Sequence, residues 1–242
     1  MLIAVANMAW QQGDLPRAQA WYEVGLEAWR TLEDTRGIQL ALGNLGLLAW
    51  TRGDAPAARA LYDQSLALAR VNGDARETCI VLINRGLLAA CTGELPLGHT
   101  ALGEALELTR TLGDAALRAA VLANLGTLAL EEERDAEAID HYVESLRLQR
   151  SLGARGSLTD CFIGLALLAA RHGRPDRAVR LAGAASGIRD AVGAVGEPWL
   201  QRLLEGWLDE AKEHLGPSAM ETWQEGRELA HAEAIAFALE GA

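Results

Sequence analysis

Apolar residues recur along most of this chain at the spacing of one helix face, and the pattern breaks at regular intervals. Breaks at Gly13, Gly53, Gly93, Glu133 and Gly173 step by forty residues, and a second series at Glu33, Gly73, Gly113, Gly153 and Gly193 keeps the same step. Two interleaved series at one period predict two helices per unit, each of about seventeen residues, repeated about five times. The breaks have the chemistry of helix ends. Glycine accepts the left-handed conformation that closes a helix, and Asp14 and Asp54, which follow Gly13 and Gly53, can accept N–H groups at the next start. Pro16, Pro56 and Pro96 then fall in the first turn of the second helix, where a missing donor costs little. The "RGD" at 52–54 belongs to this punctuation and is not read as an adhesion motif.

Within the second unit Leu42, Leu45, Gly46 and Ala49 form one seam, and Ala58, Tyr62 and Ser65 form its partner. The pattern returns as Leu122, Leu125, Gly126 and Ala129 with Ala138, Tyr142 and Ser145. The third unit is looser, with Arg85 in the seam and Gly98 and Leu102 on the partner helix. A small residue lets two helix backbones approach, and a large side chain fills the space beside it.

The order Gly46, Ala58, Tyr62 and its echo Gly126, Ala138, Tyr142 resemble the tetratricopeptide repeat. That resemblance implies an all-α, right-handed superhelical solenoid of helical hairpins with a C-terminal helical cap. The unit is forty residues long and lacks the proline usual at the unit's end, which implies longer helices, similar to those of bacterial signalling regulators and kinesin light chains. The array is expected over 1–193, with unit breaks near 33, 73, 113 and 153, and capping helices over 194–242.

The seam leaves a recurring oddity, "GNLG" at 43–46, "INRG" at 83–86 and "ANLG" at 123–126. Asn44 lies about 200° around the helix from Leu42, opposite the seam. Its companions there are Leu40, Leu47 and Thr51; the equivalent stripes are Ile80, Asn84, Leu87 and Cys91, then Ala120, Asn124, Thr127 and Glu131. In the first unit Asn7 sits one turn along the same face, and in the fifth Gly164 replaces the asparagine beside Asp160, Leu167 and Arg171. The resemblance implies that first helices line a concave groove. Asparagine offers donors and an acceptor, so a ladder of them suits the main chain of an extended peptide. The candidate binding groove is therefore Asn7, Leu40, Asn44, Leu47, Ile80, Asn84, Leu87, Asn124, Thr127 and Arg171. The competing reading has these amides bonded to neighbouring helices.

The tail offers a second resemblance. "LAGAASGIRDAVG", then "LG", "W", "EGR" and "EAIAFAL", spanning Leu181 to Leu239, look like the C-terminal end of large bacterial regulators of the LuxR or SARP type. The resemblance implies ATP-binding and DNA-binding domains elsewhere in a parent chain, and "MLIAVANMAWQQGD" opens mid-pattern, as if cut from one. In the tail itself a helix is expected from Pro198, with Trp199, Leu203 and Trp207 on one stripe.

Charge and composition narrow the partners. A net charge of −11 argues against direct nucleic-acid or membrane-surface binding. Cys79, Cys91 and Cys161 have no metal spacing and suggest a reducing, cytoplasmic setting. His99, His141, His172, His214 and His231 are scattered, so neither an enzyme, a metal nor a cofactor is expected. Two rivals to peptide binding are carried forward. Trp10, Trp21, Trp29 and Trp50 would enclose a small molecule in a sensor, and the convex surface or repeat ends would join copies in a homo-oligomeric scaffold.

Overall fold

The computed structural model describes residues 2–153, 158–192 and 198–241, and no strand occurs among them. The chain divides into two compact units, Met1–Gly113 and Asp114–Ala242. The first holds α1 (Leu2–Gln11), α2 (Leu15–Thr31), α3 (Thr35–Thr51), α4 (Ala55–Val71), α5 (Ala75–Cys91) and α6 (Leu95–Leu112). The second holds α7 (Ala115–Glu131), α8 (Asp135–Leu152), α9 (Leu158–Arg171), α10 (Pro175–Val192), α11 (Pro198–Leu215), α12 (Ala219–Arg227) and α13 (His231–Glu240). Successive helices pair as hairpins through α9–α10, so the fold is an all-α helical-hairpin repeat. Gly193 lies outside the described residues, as do the side chains of Trp199 and Leu203.

One residue both ends a helix and begins the next. At Gly53 the backbone turns left-handed with φ 81°, and its N–H donates to the Trp50 carbonyl at 2.8 Å. The Asp54 N–H donates to the Ala49 carbonyl at 2.9 Å, which closes α3. The Asp54 carboxylate then accepts the Ala57 N–H at 3.1 Å and opens α4, with Pro56 in its first turn. Asp14 does the same for α2, and Asp34, Asp74 and Asp114, which the sequence reading passed over, cap α3, α5 and α7. Glu33 and Glu133 occupy the glycine slot at φ 55° and φ 57°, where a Cβ carries a steric cost of about 1–2 kcal/mol.

In the α3–α4, α5–α6 and α7–α8 hairpins the seam closes on a glycine, where the first and last hairpins have Ala6 and Ala166. A Cβ on Gly46 would stand 2.7 Å from two ring carbons of Tyr62, and on Gly126 2.7 Å from Tyr142 Cε1. In the looser third hairpin Gly86 meets Leu102 Cγ at 2.5 Å by the same measure. The seam serines are satisfied. Ser65 Oγ donates to the Gln39 carbonyl at 2.9 Å and Ser145 Oγ to the Ala119 carbonyl at 2.8 Å. Where the third hairpin has Ala105 instead of serine, Cys79 Sγ donates across in the reverse direction, to the Ala105 carbonyl at 3.6 Å.

In the second unit a large core gathers Tyr142, Leu146, Phe162, Leu168 and Val179 with Ala234, Ile235 and Ala238 of α13. The "LAGAASG" run has a physical reason here. Added Cβ atoms at Gly183 and Gly187 on α10 would collide with the Trp223 and Arg227 carbonyls of α12, and one at Gly226 with the Arg180 carbonyl. Backbone therefore touches backbone along this crossing. α11 packs on α9 and α10, and α13 lies against α8 and α10. Arg177 donates to the Phe237 and Ala238 carbonyls at 3.2 and 2.8 Å, holding the C-terminal end of α13.

Two substitutions test these local accounts. Gly126→Ala should overpack the Tyr142 contact and destabilise by about 1–3 kcal/mol. Glu133→Gly should relieve the left-handed strain and stabilise by about 0.5–1 kcal/mol. Chemical denaturation of the full chain measures both, and equal stability of either variant and the parent contradicts the corresponding account.

Candidate functional site

First helices carry every residue of the expected groove, and each unit presents its own set. In the first unit α3 touches α5, while no two second helices pack as closely. Asn7, Leu40, Asn44, Leu47, Ile80, Asn84 and Leu87 are all half-buried there, with surface left open. Their amides differ in what they are committed to. Asn7 Oδ1 accepts the Tyr22 hydroxyl at 2.5 Å, and burial pushes that phenol above its ordinary pKa and keeps it a donor. Asn44 Nδ2 donates to the Leu40 carbonyl at 3.0 Å within α3 and makes no second hydrogen bond among the described residues. Asn84 makes none at all among them. Two neighbouring helices thus carry amides with unused donors and acceptors at matching positions.

The second unit is more closed. Asn124 is 8 % exposed and Thr127 2 %. Thr127 Oγ1 donates to the Ala123 carbonyl at 3.3 Å and shares a hydrogen bond with the Tyr142 hydroxyl at 3.1 Å, so it presents no polar surface. Tyr142 also accounts for the missing asparagine of α9. A Cβ at Gly164 would collide with the tip of the Tyr142 ring, which leaves no room for a side chain. Arg171 is exposed and pairs with Asp135 at 2.5 Å. Its charge partly offsets the burial that raises the Glu131 pKa.

Trp10, Trp21 and Trp29 pack against the first unit's own residues. Trp10 and Trp21 lie against Ala6, Ala9, Ala18 and Tyr22. Trp29 is seated between Gly25 and Gly37, where added Cβ atoms would strike its ring. A cleft of about 490 Å³ does open in this unit, but Gln19, Glu23, Leu45, Leu48, Ala49, Arg52, Asp54, Ala57 and Leu61 line it. It faces the side of the second helices, and the sequence reading, which followed the asparagines, missed it. Among the described residues no group of three His, Cys, Asp or Glu side chains is arranged to hold a metal, and no helix is long and apolar enough to cross a membrane.

Comparison with known proteins agrees with this geometry. Residues 1–70 match the Tetratricopeptide repeat family model. The crystal structure of BtubC (BKLC) from P. vanneervenii is similar at TM-score 0.61 and 20 % identity, over 81 % of each chain. The crystal structure of Rap Protein complexed with Competence and Sporulation Factor is similar at TM-score 0.70 and 17 % identity, over 99 % of this chain and 72 % of that one. A search of curated proteins finds no match. The shared feature is a tetratricopeptide-like helical repeat, a fold that generally mediates protein–protein interaction.

The thiols test burial around the second unit's core. Cys161 is buried, its Sγ lies 3.5 Å from Ser145 Oγ, and burial pushes its pKa up to about 12. Cys79 is buried and Cys91 half-buried. A chromogenic disulfide reagent at pH 8 should therefore titrate Cys91 in the native chain and all three thiols after unfolding. Because the folded pKa of Cys161 lies above its ordinary value of 9.0, its contribution to stability is intact below pH 9 and is lost as pH rises towards about 12. Rapid native labelling of Cys161 at pH 8 contradicts the packing described.

Proposed function

We propose that this chain is a protein- or peptide-binding regulatory module that holds an extended segment along the exposed faces of α1, α3 and α5. The observation that carries the reading is the pair Asn44 and Asn84. The Asn84 side chain makes no hydrogen bond among the described residues and that of Asn44 only one, on helices in contact. Unsatisfied amides beside Leu40, Leu47, Ile80 and Leu87 suit a peptide backbone with apolar side chains between its polar groups. In this reading residues 1–193 form the binding array and 194–242 close its end. The Rap Protein, of similar fold, was crystallised with Competence and Sporulation Factor bound, which makes ligand capture by such an array a reasonable model for this chain. The tail's likeness to LuxR- and SARP-type regulators extends the proposal. The module then serves a bacterial cytoplasmic regulator whose ATP-binding and DNA-binding domains lie elsewhere in the parent chain.

Extended peptides selected from a random synthetic library on the full chain supply the probe. Changing Asn44 and Asn84 together to alanine should weaken the selected peptides by about ten- to a hundredfold, the loss of two backbone hydrogen bonds at about 0.5–1.5 kcal/mol each. Helicity and melting temperature should stay unchanged. Undiminished affinity in the double variant sinks the groove assignment.

A further inference from the structure

The cleft between α2 and α4 gains meaning from the forty-residue register, which lets its lining be compared with the same place in other hairpins. One unit along, between α4 and α6, only about 20 Å³ remains, lined by Arg59, Arg85, Leu88, Ala89, Glu94 and Leu97. There Arg85 stands in the slot of Leu45 and pairs with Asp63 at 2.8 Å, in the slot of Glu23. Arg59, in the slot of Gln19, pairs with Glu94 at 2.5 Å. The place is filled by the chain's own side chains.

Between α8 and α10 the same place is filled differently, by a helix. α13 lies against both, and Ala234, Ile235 and Ala238 enter the core there. The floor residues Leu165, Leu168 and Ala169, in the slots of Leu45, Leu48 and Ala49, are 4 %, 1 % and 1 % exposed. In the first unit Leu45 and Ala49 are only half-buried. Leu48 is itself buried, so an apolar floor of the same pattern is fully covered in one unit and open at Leu45 and Ala49 in the other.

Charge then separates the open cleft from the filled one. The C-terminal end of α13 is held by Arg177, which donates to its carbonyls, and by Arg174, which donates to the Gly241 carbonyl at 2.9 Å. The Glu240 carboxylate also acts on Arg177. In the first unit these two slots hold Asp54 and Ala57, and Glu23 stands where the second has Val143. Arg52 is turned onto Gln19. Carboxylates repel the carbonyl end of a helix and attract a basic one.

We propose that the cleft formed by α2, α3 and α4 is a docking site for an amphipathic helix of a partner protein, carrying a narrow Ala/Ile/Leu stripe and a basic end that meets Glu23 and Asp54. The site is separate from the asparagine stripe, since Leu45, Leu48, Ala49 and Arg52 lie about 120° around α3 from the Leu40, Asn44, Leu47 and Thr51 face. Helix-in-groove binding of this kind takes its affinity from the apolar stripe and its orientation from the charged end.

Two labelled synthetic peptides of about 14 residues, long enough for partial helicity, test the site by fluorescence anisotropy on the full chain. Both carry the apolar stripe of α13, and one ends in lysine and arginine, the other in glutamate. The basic-ended peptide should bind, about tenfold more tightly than the acidic one at low salt. Leu45→Arg should weaken it at least tenfold, because Arg85 with Asp63 already closes the equivalent place in a hairpin that folds. Glu23→Gln with Asp54→Asn keeps a helix cap at 54 and should erase the preference between peptides. Asn44→Ala with Asn84→Ala should leave capture of the helical peptide intact, so failure of either site is distinguishable from failure of the other. The proposal is overturned if neither peptide binds, if Leu45→Arg binds as the parent does, or if the acidic peptide binds as tightly. A dimer of the parent that Leu45→Arg dissociates also overturns it, and assigns the cleft to self-association.

Discussion

The packing of the α3–α4, α5–α6 and α7–α8 hairpins depends on a missing Cβ. With a side chain at position 46 or 126, the Tyr62 or Tyr142 ring has nowhere to lie, and the two helices separate. The consequence extends past the hairpin. Tyr142 passes Gly126 on α7, bonds Thr127, and reaches Gly164 on α9, so one ring sets both the seam of its own hairpin and the contact with the next. Tyr22 begins the same route on α2 and ends it on Asn7. The aromatic slot therefore decides which polar residues of the first helices remain available.

Much of the fold was legible because its determinants are local. The breaks, the prolines and the seam glycines each act on neighbours a few residues away or one helix away, and a fixed period multiplies the signal. The acidic residues after the second series of breaks belong to the same grammar and were readable from Asp14 and Asp54, since the capping chemistry is identical. Glu33 and Glu133 show the limit of reading residue types singly. Their left-handed backbone follows from the register and not from any preference of glutamate.

The asparagine stripe was legible as a pattern, but its chemistry was not. Helix angle placed Asn44, Asn84 and Asn124 on one face, yet exposure is set by what leans over that face from elsewhere. Asn124 is buried, Asn84 keeps its amide unbonded among the described residues, and Asn44 turns its amide to its own helix. Thr127 belonged to the stripe by periodicity and belongs to the Tyr142 seam by contact. No count of residues along a helix distinguishes these cases, because the deciding side chain arrives from fifteen residues away on the partner helix.

The same argument explains why the cleft on the other side went unseen. A repeat array makes equivalent places by construction, and each must be covered, filled or left to a partner. Arg85 fills one and α13 covers another, and both solutions are written in residues that look ordinary alone. Only the comparison of Leu45 with Arg85 and Leu165, and of Asp54 with Arg174, reveals a vacancy of definite charge. Selection on a repeat protein therefore acts on differences between its units. The shared residues make the hairpin, and Glu23, Asp54 and Ala57, where the covered place has Val143, Arg174 and Arg177, give the open cleft a charge that its covered equivalent lacks.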